Sequence, residues 1–325
     1  MSADLTPVSR HALYPALAPW DQRWLDVGDG HRLYIEQSGN PHGEPVLVVH
    51  GGPGGGCSPR MRRYFDPRHW RIILFDQRGA GQSQPSGSLT ANTTPDLVAD
   101  MERIRVALGV ERWLLFGGSW GVTLALRYGQ CHPQRVAGMV LRGVFLCRQQ
   151  DIDWLYREGG ASRIFPDAWA RFRDALPAAA GADLLTRYHQ RLTEEVVDRS
   201  VASAWAAWEA ACATLLPSPG VVASFETRAL ALARIESHYF VAGGFMPEAG
   251  LLSHMASLAG IPAHIVHGRY DMVCPVEQAW TLHQAWPGSQ LTVVPDAGHS
   301  ATEPGLQRAL VAAVAGFAAA GETHR

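Results

Sequence analysis

A mostly parallel sheet covered by helices, with a helical segment inserted late in the chain, is the α/β architecture that this sequence predicts, and three observations predict it. Short, continuous apolar runs recur at Pro45 to Val49, Arg71 to Phe75, Trp113 to Phe116, Val136 to Leu141, Ala263 to His267 and Gln290 to Val294. Runs of that kind suit strands buried on both faces. Helical spacing separates several of them, and alternation of strand with helix implies parallel pairing. Between about 148 and 247 the texture changes to Ala, Trp and Arg in helical periodicity, with no convincing buried strand.

Taken in order, Trp24 to Gln37 alternates apolar and polar residues around Gly28-Asp29-Gly30, the pattern of a hairpin that opens the sheet on an antiparallel edge. Thr94 to Leu108 places Leu97, Met101, Ile104 and Leu108 on one helical side. Val122 to Tyr128 reads as a second helix, and the Ala-rich stretch from Gln307 to Ala319 as a closing amphipathic one. The division this implies is a core formed by 1–147 and 248–325, with a helical cap at 148–247.

Composition narrows the chemistry. With 325 residues, 47% hydrophobic and 18% charged, the chain is expected to bury a large core. A formal net charge of −2 offers no long-range field for phosphate backbones or anionic lipid, so neither nucleic acid nor a membrane is an expected partner. All 28 Lys and Arg residues are arginine. Schiff-base chemistry and the P-loop lysine are thereby excluded. Five cysteines, widely spaced and without a C-x-x-C pair, suit a reducing compartment. Residues 1–15 lack the apolar core of a secretory signal, and no uncharged apolar run approaches a bilayer span, so the expected location is the cytoplasm. The pattern specifies no oligomeric state, no metal site and no cofactor.

Gly117-Gly118-Ser119-Trp120-Gly121 is a G-x-S-x-G between a strand and a helix, the context that makes this pattern a nucleophile elbow. A serine on so sharp a turn needs neighbours without Cβ atoms, and the following helix start favours an oxyanion. Asp271 and His299 each follow a strand-like run, and the order serine, acid, histidine is the one the α/β-hydrolase fold uses. Ser119 is therefore the candidate nucleophile, His299 the base and Asp271 the acid that orients it. Asp296 is a rival acid, but its place three residues before His299 suits a turn-former.

His50 followed by Gly51-Gly52-Pro53-Gly54-Gly55-Gly56 resembles a glycine-rich oxyanion loop, with Gly52 and Trp120 as the N–H donors and His50 as a structural hydrogen-bonding residue. No lysine and no G-x-G-x-x-G spacing support a phosphate loop there. In Asp76-Gln77-Arg78-Gly79, Asp76 and Arg78 are expected to brace the turn by pairing with each other.

Together, these motifs with Gly268-Arg269-Tyr270-Asp271 and Ala297-Gly298-His299-Ser300 resemble the prolyl aminopeptidase family, also called proline iminopeptidases, from about Tyr14 to Glu303. The resemblance implies release of N-terminal proline from short peptides through an acyl-enzyme. An exopeptidase must meet a buried ammonium with carboxylate, because an unpaired desolvated cation costs several kcal/mol. Glu209 and Glu236 are the candidates, and they match family positions with that role. Phe145 and Phe240 match positions lining the pyrrolidine pocket. Cys274 is similar to a family cysteine near the site, implying thiol-reagent sensitivity. The stretch Asp153-Trp154-Leu155-Tyr156 departs from a more aromatic family pattern. Two other readings fit the same scaffold: an esterase or amidase indifferent to a free amine, and a binding protein without catalysis.

Overall fold

The computed structural model describes residues 13–177, 183–196 and 198–322. The reading of the N-terminal segment as free of a targeting signal falls largely on residues outside these. Eight strands form one sheet: β1 (Asp21–Gly28), β2 (His31–Gly39), β3 (Glu44–Val49), β4 (Trp70–Phe75), β5 (Trp113–Gly118), β6 (Val136–Arg142), β7 (Ala263–Gly268) and β8 (Gln290–Val294). Their spatial order is β1-β2-β4-β3-β5-β6-β7-β8. The first two strands pair as an antiparallel hairpin, β2 runs antiparallel to β4, and every pairing from β4 to β8 is parallel.

Strand period sorts the side chains into two cores. Leu47, Val49, Ile73, Phe75, Leu115, Leu141 and Ile265 face one layer. Val46, Val48, Ile72, Leu74, Leu114, Phe116, Val140 and Val266 face the other. The apolar runs are continuous in sequence because both faces are buried. Helices α1 (Thr94–Ala107) and α2 (Trp120–Cys131) cover the first face. The C-terminal helix (Pro304–Glu322) lays Leu306, Leu310, Ala313 and Val314 on the second. Asp96 caps α1 by accepting the Thr93 N–H at 3.1 Å. Helix α2 begins at Trp120, directly after Ser119 and two residues before the apolar periodicity starts.

Between β6 and β7 the described elements are all helical: α3 (Gln149–Tyr156), α4 (Pro166–Asp174), α5 (Leu184–Leu192), α6 (Arg199–Cys212), α7 (Pro219–Thr227) and α8 (Ala229–Val241), with short 3-10 turns. Val201, Trp205, Trp208 and Cys212 make the buried stripe of α6. Around it the rings of Phe172 and Tyr188 stack 4.4 Å apart, and those of Tyr156 and Trp205 4.6 Å apart. The chain then returns through β7, α9 (Val276–Ala285), β8 and the C-terminal helix, α10. No helix among the described residues is long and apolar enough to cross a membrane.

The expected Asp76–Arg78 pair does not form. Arg78 turns into the core and makes a bidentate ion pair with Asp100 of α1, at 2.6 and 2.9 Å, both side chains being fully buried. Asp76 instead accepts the backbone N–H groups of Cys57 at 2.6 Å and Gln82 at 2.7 Å. The two side chains diverge, and each finds the partner its own direction offers. Removing one member of a buried pair strands the other charge. Arg78→Met is therefore expected to lose about 3–5 kcal/mol of stability, read as a lowered thermal midpoint; a midpoint equal to that of the parent would contradict the ion pair's structural role.

Candidate active site

Chain order along the sheet reverses at β3, which lies between β4 and β5, and the carboxyl ends of the strands beside such a switch point open a crevice. Loops from β3, β5, β6, β7 and β8 all meet there. One cavity of about 270 Å³ opens at this edge under the inserted helices, and Gly52, Ser119, Phe145, Glu209, Glu236, Phe240 and His299 all line it.

Ser119 has φ 58° and ψ −125°, a conformation disfavoured for a residue with a Cβ. Its neighbours make room for it. A Cβ on Gly121 would lie 2.0 Å from the Val49 carbonyl oxygen, and one on Gly117 would lie 2.6 Å from the Gly121 carbonyl oxygen. Cys274, whose thiol pKa burial raises well above its ordinary value, lines the same cavity as Ser119. Trp120 opens α2, so its backbone N–H has no helical acceptor behind it. Gly52, at φ 111°, belongs to the loop after β3, and a Cβ there would strike the amide nitrogens of Gly54 and Gly55 at 2.7 Å. His50 braces that loop: its Nε2 accepts from Gln77 N–H at 2.9 Å, and burial lowers its pKa to about 4.

His299 Nδ1 and Asp271 Oδ2 are 2.7 Å apart. The other oxygen of Asp271 accepts N–H groups of Val273 at 3.0 Å and Cys274 at 2.8 Å. Burial pushes the Asp271 pKa up, but the His299 imidazole and these donors outweigh it, and the net shift is downward. Nε2 of His299 is met by Arg142 Nη1 at 3.2 Å, and Arg142 also donates to the His299 carbonyl at 2.9 Å. A guanidinium can only donate, so Nε2 carries a lone pair and the proton is on Nδ1. Asp296, the rival acid, is exposed.

Two further groups support the pair that sequence reading missed. His267, at the end of β7, accepts the Val144 N–H at Nδ1 and directs Nε2 to the Cys274 carbonyl, 3.4 Å from Asp271 Oδ2. Gly143, at φ 58°, leaves space that a Cβ would close to 2.8 Å from His299 Cε1. Its positive φ just after a strand could have been suspected from the glycine itself; the role of Arg142, inside an apolar run, carried no such signal.

Among the helices between β6 and β7, Glu209 of α6 and Glu236 of α8 are 6% and 3% exposed. Trp205 Nε1 donates to Glu236 Oε2 at 2.7 Å, and the Tyr156 hydroxyl donates to Glu209 Oε1. Burial pushes Glu209 up to about 7. Burial, and then the adjacent Glu209, push Glu236 well above the usual carboxylate range. The two side chains line the same cavity and share their environment with aromatic carbon. Phe145 and Phe240 meet edge to face at 5.8 Å, and Tyr156 lies 5.3 Å from Phe240. Tyr156 thus belongs to the site, although its sequence context looked like a departure.

Residues 44–305 match the alpha/beta hydrolase fold family. A proline iminopeptidase of Xylella fastidiosa is 54% identical over 310 residues, covering 94% of this chain and 99% of that one. The proline iminopeptidase of Arabidopsis thaliana is 50% identical, covering 95% of this chain and 82% of its own. Among solved structures, a Rhodococcus esterase superposes with a TM-score of 0.64 at 20% identity, covering 92% of this chain and 98% of that one. A Mycobacterium smegmatis proline iminopeptidase does so with a TM-score of 0.60 at 18% identity, covering 93% and 100%. The structural matches carry the fold alone, whereas the sequence matches span nearly the whole chain, and on that ground the chain belongs to the α/β-hydrolase family and, within it, to the proline iminopeptidases.

Proposed function

We propose that this chain is a serine exopeptidase that releases proline from the N-terminus of short peptides, with 148–247 acting as the cap over the site. The observation that carries this reading is the buried Glu209–Glu236 pair in an aromatic-walled cavity that also holds Ser119 and His299. Burial in low dielectric holds both carboxyls above their ordinary range, and Glu209 adds to the rise at Glu236. A cation between them lets both ionise. The secondary ammonium of an N-terminal proline supplies that cation, and its ring presents apolar carbon to Phe145, Phe240 and Tyr156.

Catalysis then follows from the tautomer. Nδ1–H is held by Asp271, and Nε2 has a lone pair. Nε2 exchanges the Arg142 guanidinium for the Ser119 hydroxyl and takes its proton as Oγ bonds to the prolyl carbonyl carbon. Electrons displaced onto the carbonyl oxygen are stabilised by the N–H groups of Gly52 and Trp120. Collapse breaks the C–N bond, His299 protonates the departing amine, and water, deprotonated by the same imidazole, frees proline from Ser119. The five cysteines are all unpaired, which supports a reducing location, and we place the protein in the cytoplasm.

Ser119→Ala is expected to lower kcat on proline arylamide by more than ~10³; turnover retained in that variant would eliminate the mechanism. N-acetylproline arylamide should react far more slowly than the free amine, and Glu236→Gln should raise KM for the free amine about 10- to 100-fold, the worth of a charge-assisted contact. Equal turnover of blocked and free compounds would favour a simple amidase. Because Glu209 ionises only above about pH 7 in the empty site, the inhibition constant of pyrrolidine, protonated throughout, should rise as pH falls through that value. A flat inhibition profile from pH 6 to 8 would argue against the carboxylate pair as the amine site.

A further inference from the structure

Helix α8 and the residue before it, Arg228, border the cavity. Arg228, Leu232, Glu236 and Phe240 recur every fourth residue and all four line the cavity. Their order along the helix orders the site. Phe240 and Glu236 lie at the aromatic, anionic end. Leu232 faces the oxyanion loop, since a Cβ on Gly52 would be 3.3 Å from Leu232 Cδ1. Arg228 comes last, one turn beyond, where its Nη1 donates to the Gly55 carbonyl. At 1.5 Å per residue, Arg228 follows Leu232 by about 6 Å and Glu236 by about 12 Å along the axis.

The guanidinium is anchored without being neutralised. Nε donates to the Ser224 carbonyl at 3.0 Å and Nη2 to the Ser224 hydroxyl at 2.5 Å. With the Gly55 bond, three of the five guanidinium N–H groups are used, leaving one on each terminal nitrogen. Among the described residues, the carboxylate acting on it is that of Asp76, whose oxygens are taken by the N–H groups of Cys57 and Gln82. The cavity is therefore bipolar, with carboxyls at one end, a fixed cation that no carboxylate hydrogen-bonds at the other, and the oxyanion loop between them.

We infer that Arg228 binds the free α-carboxylate of the leaving portion, so that the site selects zwitterionic di- and tripeptides over longer chains. The inference rests on the Glu209–Glu236 end holding the prolyl amine. An extended chain advances about 3.3–3.6 Å per residue, so a carboxylate one or two residues past the scissile carbonyl falls beside Arg228. A planar fork with two free donors suits a carboxylate better than a lone ammonium would. Holding both ends of a short peptide also positions its carbonyl over Ser119.

The test compares kcat/KM for Pro-Ala with its C-terminal amide, and for a proline-initiated pentapeptide acid with its amide, beside proline arylamide. The dipeptide acid is expected to exceed its amide about tenfold, a typical worth of a charge-assisted bond, and the pentapeptide pair to be equal. In Arg228→Gln the dipeptide ratio should fall to near one. In Arg228→Lys, which keeps the charge and a donor to Gly55, it should fall but stay above one, so the question remains decidable if the glutamine variant does not fold. Equal turnover of Pro-Ala and its amide by the parent enzyme, or a ratio unchanged in Arg228→Gln, overturns the inference while leaving the exopeptidase reading intact. A uniform loss on every substrate with the ratio preserved identifies Arg228 as a clasp for the oxyanion loop and likewise overturns it. Failure to cleave proline arylamide at all would instead defeat the proposed function.

Discussion

Helix α2 meets the end of strand β3 with no side chain between them. A single methyl on Gly121 would occupy space 2.0 Å from the Val49 carbonyl oxygen, so the approach exists only because glycine holds that position. This contact governs the crevice. It tightens the turn from β5 into α2 until Ser119 is forced to φ 58°, and it brings the start of α2 beside the glycine loop that leaves β3. A conformation of that kind costs on the order of 1–3 kcal/mol and persists only where the surroundings over-determine it. Here the surroundings are the parallel strands themselves, closed on both faces by apolar cores.

Two buried charged constellations show how differently the fold treats structure and site. Arg78 and Asp100 bond in two places with both side chains sealed from solvent; charge meets charge, and the pair secures the turn after β4 to helix α1. Glu209 and Glu236 are nearly as deeply buried, yet the groups acting on them are each other, Tyr156 and Trp205. Like charges in low dielectric stay partly protonated, a condition that disfavours the empty state and is relieved by a cation. Polarised sites of this sort sit at the less stable end of a protein's inventory. The stacked aromatic cluster between α3, α4, α5 and α6 is what holds that end together.

The histidine loop is tied to the helices between β6 and β7 as well as to the sheet. Ser300 N–H donates to the Ala213 carbonyl at 2.8 Å, while Glu303 accepts both the Leu215 N–H at 2.7 Å and the Gly298 N–H at 2.6 Å. The segment after α6, which carries Glu209, is thus hydrogen-bonded to the segment carrying His299. The carboxyl end of the cavity and the imidazole thus share one mechanical connection, so displacement of the inserted helices would be felt at His299.

Strand positions, the hairpin edge and the helices of the core were legible from residues alone, because burial on both faces writes continuous apolar runs and amphipathic helices write a period. Glycine motifs around Ser119 and after β3 were legible for a steric reason: only an absent Cβ allows those approaches. Asp271, His299, Glu209 and Glu236 could be named, but their mutual placement could not. Asp76 and Arg78 show why, since adjacency in sequence suggested a partner while the directions of the side chains chose others. Arg142, His267 and Tyr156 lay hidden for the same reason, each meeting its partner across 53 residues or more or, for His267, through a loop that folds back on itself. Sequence by itself determined which elements form and which backbone positions must be bare; only the tertiary structure decided which charges meet, because hydrogen bonds and ion pairs depend on direction and distance that no local pattern encodes.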